Sequence, residues 1–184
     1  MFRHVASAAV LALVLPLSIV HAADKTVMVG GASMYPSKNI IQNAVNSKDH
    51  TTLVAAVKAA GLVDTLEGKG PFTVFAPTNA AFEKLPAGTV DTLLMPANKA
   101  MLQSVLTYHV VAGKMDAKAL MSAAKKHGGT VELKTVAGGP LWVKLDGMTL
   151  SLQDGKGGKA NITTADVYQS NGVIHVIDTV VMAK

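Results

Sequence analysis

The chain has 184 residues, a formal net charge of +5 and no cysteine. The missing thiols exclude disulfides, thiolate metal sites, thiol catalysis and a lipidated-cysteine anchor. Arg3 is the sole arginine, and lysines scattered singly argue against a nucleic-acid reader, which relies on arginine's planar fork for phosphate and guanine.

Arg3 precedes an apolar run from Val5 to Val20, broken only by Ser7, Pro16 and Ser18, and Val20-His21-Ala22 supplies small residues for cleavage. This pattern predicts a signal peptide over residues 1–22, a mature chain from Ala23 and a periplasmic or extracellular location. The run is short for a membrane span and Val180-Val181-Met182-Ala183-Lys184 offers no spanning tail, so no membrane anchor is expected. Residues 23–36 lack periodicity and contain Gly30-Gly31 and Tyr35-Pro36, which reads as a flexible lead-in. Its Met28 and Met34 are soft enough to bind copper, but with no histidine or cysteine beside them an ordinary tail is the better reading. Residues 37–184 then form one domain without internal repeats.

Ser37 is expected to cap a helix carrying Ile40, Ile41, Ala44 and Val45, and Thr51 a second one carrying Leu53, Val54, Val57 and Ala60 that ends at Gly61. After the turn Gly68-Lys69-Gly70-Pro71, Phe72 to Ala76 alternates as a strand, and Pro77 stops it. Thr78 caps a short helix through Phe82 and Leu85; Val90, Leu93 and Leu94 follow as another before Pro96. A helix from about Ala97 to Leu106 places Met101, Leu102, Val105 and Leu106 in one buried stripe. Tyr108-His109-Val110-Val111 is rich in strand formers, and Asp116 caps a helix carrying Ala119, Leu120, Ala123 and Ala124.

Beyond Gly128-Gly129 the period becomes two: Val131-Leu133, Leu141-Val143-Leu145, Leu150-Leu152, Ile162 and Val173 to Val181 read as strands separated by glycine-containing turns. Gly155-Lys156-Gly157-Gly158-Lys159 lacks phosphate-loop spacing and reads as a hairpin turn. Helices first and strands later favour an α+β domain, with short strands forming a sandwich-like core and helices around it.

Three blocks, Thr73 to Phe82, Tyr108-His109 and Asn171 to Asp178, stand in the order of the fasciclin domain, which the chain resembles from about Asn39 to Met182. The resemblance implies a non-catalytic adhesion or matrix-binding module, and a compact signal sequence, a single domain and the absence of cysteine point to a bacterial source. The partner it implies is a cell-surface or matrix protein or polysaccharide, with weak self-association as a further route to adhesion; no nucleic acid or cofactor is expected.

In some animal members the segment matching Tyr108-His109 is associated with receptor binding, and the short acidic-apolar segment matches Asp178-Thr179-Val180-Val181-Met182, although here three residues separate the acid from the methionine. These seven positions are the candidate contact residues. A histidine between apolar residues more often closes a buried hydrogen bond, so a framework role is the expectation for His109 and for His175. Together the two histidines lack a third metal ligand, and no Gly-x-Ser-x-Gly, His-Glu-x-x-His or carboxylate pair supports catalysis. Asn161-Ile162-Thr163 is a formal glycosylation acceptor. Abundant methionine, alanine and valine leave carriage of a small apolar ligand as the alternative function.

Overall fold

The computed structural model describes residues 26–184. The expected signal peptide lies outside them. Strands β1 (Val27–Val29) and β2 (Ala32–Met34) pair as an antiparallel hairpin turning at Gly30-Gly31, where the expectation was a flexible lead-in. Both glycines take positive φ, and a Cβ on Gly30 would lie 2.3 Å from Ser47 Oγ, so the turn rests directly on the body of the domain. Three-residue strands are too short to display a period, which is why the pattern is missed. Met34 is buried while Met28 is 61% exposed, and the register pairs Val27 with Met34 but Met28 with Ser33. The two thioethers therefore face opposite sides of the hairpin and cannot share one copper ion.

Helix α1 (Ile40–Ala44) starts at Asn39, whose side chain accepts from Gln42 N–H while Gln42 reaches back to the cap; this reciprocal box displaces Ser37 as the expected cap. Helix α2 (Thr51–Ala60) contains Thr51 rather than being capped by it. Its start is closed from outside by Asn79 Oδ1, which accepts from Thr51 Oγ1 at 3.2 Å and Thr52 N–H at 3.0 Å. Gly61, at φ 70°, ends the helix in the left-handed conformation. Helix α3 (Val63–Glu67) leads into strand β3 (Phe72–Pro77), and Thr78 caps α4 (Asn79–Glu83) by accepting from Ala81 N–H.

After α5 (Thr89–Leu94) and a tight turn at Pro96–Asn98, α6 runs over Lys99–Tyr108, later than expected. Leu102 and Leu106 are buried on it, but Met101 is 58% exposed, so the apolar stripe is narrower than its spacing implied. Tyr108 is thus the last helical residue and His109 follows it; strand β4 begins only at Val110 (Val110–Ala112). Asp116 caps α7 (Ala117–Lys126) by accepting from Ala119 N–H at 2.8 Å.

Strands β5 (Thr130–Lys134), β6 (Pro140–Asp146), β7 (Thr149–Gln153), β8 (Lys159–Gln169) and β9 (Gly172–Ile177) complete one seven-stranded sheet in the order β4-β3-β9-β8-β7-β6-β5. Only β3 and β9 run parallel. The bridge Val111–Thr135 brings the β4 edge back beside the end of β5, so the sheet curls almost into a barrel instead of splitting into two. Register shifts in β8 make the bend, with Asp166 at φ 60° inside the irregular stretch.

Curling creates two cores. Val74 and Val176 pack toward the helices with Ile40, Leu53, Phe82 and Leu102, while Phe75, Tyr108, Leu120, Val143, Leu152 and Val181 fill the space the sheet encloses. The alternation of β3 thus feeds both sides.

Candidate functional site

The fold joins the two candidate contact segments. At the end of α6, Tyr108 turns into the enclosed core at 1% exposure; its hydroxyl donates to the Pro140 carbonyl at 2.6 Å and accepts from Gly155 N–H at 3.0 Å. One phenol therefore ties the start of β6 to the β7–β8 turn. Burial raises the pKa of Tyr108, and the neutral, donating hydroxyl is the form these partners need.

His109 is 3% exposed, and both ring nitrogens are engaged with backbone. Nδ1–H donates to the Val105 carbonyl at 2.8 Å, and Nε2 accepts from Val181 N–H at 3.2 Å. A proton on Nε2 would confront the Val181 N–H, and burial disfavours the charge, lowering the pKa to about 4. His109 is a neutral clamp holding the segment after β9 against the end of α6.

That segment is fixed at successive residues. Asp178 accepts from Asn161 N–H at 2.8 Å, Asn161 Nδ2 at 2.9 Å and Thr179 Oγ1 at 3.0 Å. Lys84 Nζ donates to the Asp178 carbonyl at 2.6 Å and lies 4.0 Å from its carboxylate. Partial burial opposes ionisation of Asp178, but the hydrogen bonds from Asn161 and Thr179 and the charge of Lys84 together outweigh it and hold the pKa below the usual carboxylate value. Val180 packs into the helical core and Val181 into the enclosed core, so the chain passes between the two. Met182 N–H donates to Asp154 Oδ2 at 2.9 Å.

Of the seven candidate positions, Tyr108, His109, Val180 and Val181 are buried, whereas Asp178, Thr179 and Met182 keep part of their surface. Lys84, Asn161 and Asp154 complete the arrangement and were missed in the sequence, because 94, 17 and 28 positions separate them from the residues they hold.

His175 is fully buried, stacked on Phe75 at 5.7 Å, and bonded through Nε2 to the Met115 carbonyl at 2.9 Å. Burial lowers its pKa as well. With their nitrogens committed to backbone, neither His109 nor His175 is free to ligate a metal, and among the described residues no three His, Asp or Glu side chains form a metal-sized group. No helix among them is long and apolar enough to cross a membrane.

The fasciclin domain model matches residues 48–183. The chain belongs to the fasciclin-domain family. Protein sll1483 of Synechocystis sp. is 45% identical over 86% of this chain and 81% of its own length. Immunogenic protein MPB70 of Mycobacterium bovis is 38% identical over 76% of this chain and 66% of its own length. A solved FAS1 domain pair from the insect cell adhesion molecule fasciclin I matches with a TM-score of 0.71 and 21% identity, over 80% of this chain and 52% of that one. That last likeness is one of fold, and this fasciclin domain spans about half of the pair.

Proposed function

We propose that this fasciclin-domain protein is an exported, non-catalytic module that binds a cell-surface or matrix component through the rim formed by Lys84, Asp178, Thr179 and Met182. The observation that carries the reading is the contrast within one segment: Val180 and Val181 are buried anchors, while Asp178, Thr179 and Met182 beside them are half-buried next to the exposed Lys84, and the polar ones are already hydrogen-bonded into place. A preformed polar surface loses little freedom on binding, which favours recognition by a shallow patch. The adhesion named for the insect relative belongs to that protein and motivates the class of function here.

The test is saturable binding of the chain from Ala23 to host envelope and matrix fractions. Thr179→Arg, which projects bulk from the rim, should abolish binding while lowering the thermal midpoint only slightly, through the lost Thr179–Asp178 hydrogen bond, whereas Met148→Arg on an 87% exposed hairpin tip should bind normally. Equal binding by all three proteins contradicts the rim.

A second reading draws on an apolar cavity of about 80 Å³ between the helices and β3, bordered by Met34, Leu53, Val57 and Val176. His50, whose Nδ1 is bonded to Ser47 Oγ at 2.8 Å, is also among its lining residues. A 150 Å³ cavity holds a benzene, so carriage here would be limited to smaller apolar molecules, and the rim is the stronger site.

A further inference from the structure

We infer that a groove beside the rim binds a sugar unit of an acidic polysaccharide, with Trp142 as its stacking platform. The inference deepens the proposed matrix-binding reading and rests on it. The groove is open and shallow, about 640 Å³ in volume, and is bordered by Thr130, Trp142, Gln153, Asp154, Lys156 and Lys184.

The sheet register builds it. Glu132 pairs with Trp142, Trp142 with Gln153 and Gln153 with Lys159, so these four side chains cross β5, β6, β7 and β8 as one row on the outer face. The neighbours of Trp142 in its strand, Leu141 and Val143, point into the enclosed core and are fully buried, which fixes the indole outward. A flat, partly exposed indole offers an apolar π-face to the C–H face of a pyranose ring, and Gln153 and Thr130 bring hydrogen-bonding groups to its hydroxyls.

The turn from Asp154 to Lys159 supplies the wall. Asp154 Oδ1 accepts from Lys156 N–H and Gly158 N–H, and Oδ2 accepts from Met182 N–H. This carboxylate is buried and turned onto the backbone. A Cβ on Gly155 would lie 3.0 Å from the Lys184 nitrogen, so glycine lets the Lys184 backbone lie against the turn. Exposed Lys156 and Lys184 border the groove, and exposed Lys159 stands in the same row as Trp142, with Glu132 as the exposed opposing carboxylate. Three lysines outnumber the two carboxylates, Glu132 and the backbone-bound Asp154, and this small positive excess favours a uronate or another acidic sugar over a neutral one. Tyr108 holds both sides of the groove through Pro140 and Gly155, so the buried tyrosine is a positioning residue for this surface.

Trp142 is the single tryptophan of the chain, and its emission reports the site without a label. Titration with hexagalacturonate should give a saturable emission change and a matching calorimetric isotherm, and maltohexaose, of equal length and without carboxylates, should bind at least about fivefold more weakly. Lys156→Ala/Lys184→Ala should weaken hexagalacturonate about fivefold to tenfold and flatten the salt dependence. Trp142→Phe, followed by calorimetry, should weaken it about tenfold with the fold retained. No saturable signal, equal affinity for the two sugars, or indifference to either variant overturns the groove. Envelope binding lost in Thr179→Arg but with no hexagalacturonate binding leaves the rim standing and the groove refuted; loss of both outcomes refutes both readings.

Discussion

Tyr108-His109 and Asp178-Thr179 lie on the two sides of one junction, yet their environments are opposite. The first pair is buried, with each polar atom spent on backbone; the second lies at the surface with Lys84 and Asn161. The comparison teaches that a recognisable motif can be a clamp, while the accessible surface falls to the less distinctive residues that the clamp positions. A buried group must satisfy its hydrogen bonds in one geometry, which restricts its identity; a solvated rim has no such restriction.

The sharpest way to break this contrast is His109→Ala. It leaves Val181 N–H without its acceptor and opens space between the cores, so a loss of about 3 kcal/mol is expected in denaturant titration. Envelope binding measured well below the transition should persist. The same histidine makes stability depend on pH. Because burial lowers its folded pKa from 6.5 to about 4, the unfolded chain binds the proton more readily between those values. The contribution is complete above about pH 6.5 and declines as pH falls toward 4, by about 3 kcal/mol at most. His50 and His175, also lowered by burial, act in the same direction. Denaturation midpoints between pH 7 and 4 should fall steeply for the wild type and less for His109→Ala.

Tyr108→Phe keeps the ring but removes the hydroxyl between Pro140 and Gly155. It should cost about 1–3 kcal/mol, measured by thermal unfolding, because a carbonyl and an N–H lose their partner together. Lys84→Ala is the smallest structural change: an ion pair at 4.0 Å with a lysine 54% exposed is worth under about 1 kcal/mol, so stability should barely move while rim binding weakens.

The elements stated by local chemistry were legible in the sequence. Thr78 and Asp116 cap their helices, Gly61 ends α2 and the glycine turn after Gln153 joins two strands, because each is decided within a few residues. Ser37 lost the first cap to Asn39, whose partner Gln42 allows a reciprocal box. Thr51 lost the second to Asn79, a residue from a different helix that no local rule supplies. Met101 sits at a core spacing but at the exposed margin of α6, since spacing gives a face and not its width. The buried role expected for His109 and His175 follows from their apolar neighbours, and the structure bears it out. The rim was only half legible: Asp178 and Thr179 lie in a recognisable segment, whereas Lys84 and Asn161 reach it through folding alone.

The central claim is that the histidine of the Tyr108-His109 motif is a neutral framework clamp, and its own titration tests that most directly. Followed by NMR in the folded protein, His109 should remain neutral with its proton on Nδ1 through pH 6.5 and titrate only near 4. A midpoint near 6.5, with the imidazolium tolerated in the intact fold, would mark a solvated ring available to a partner and contradict the account.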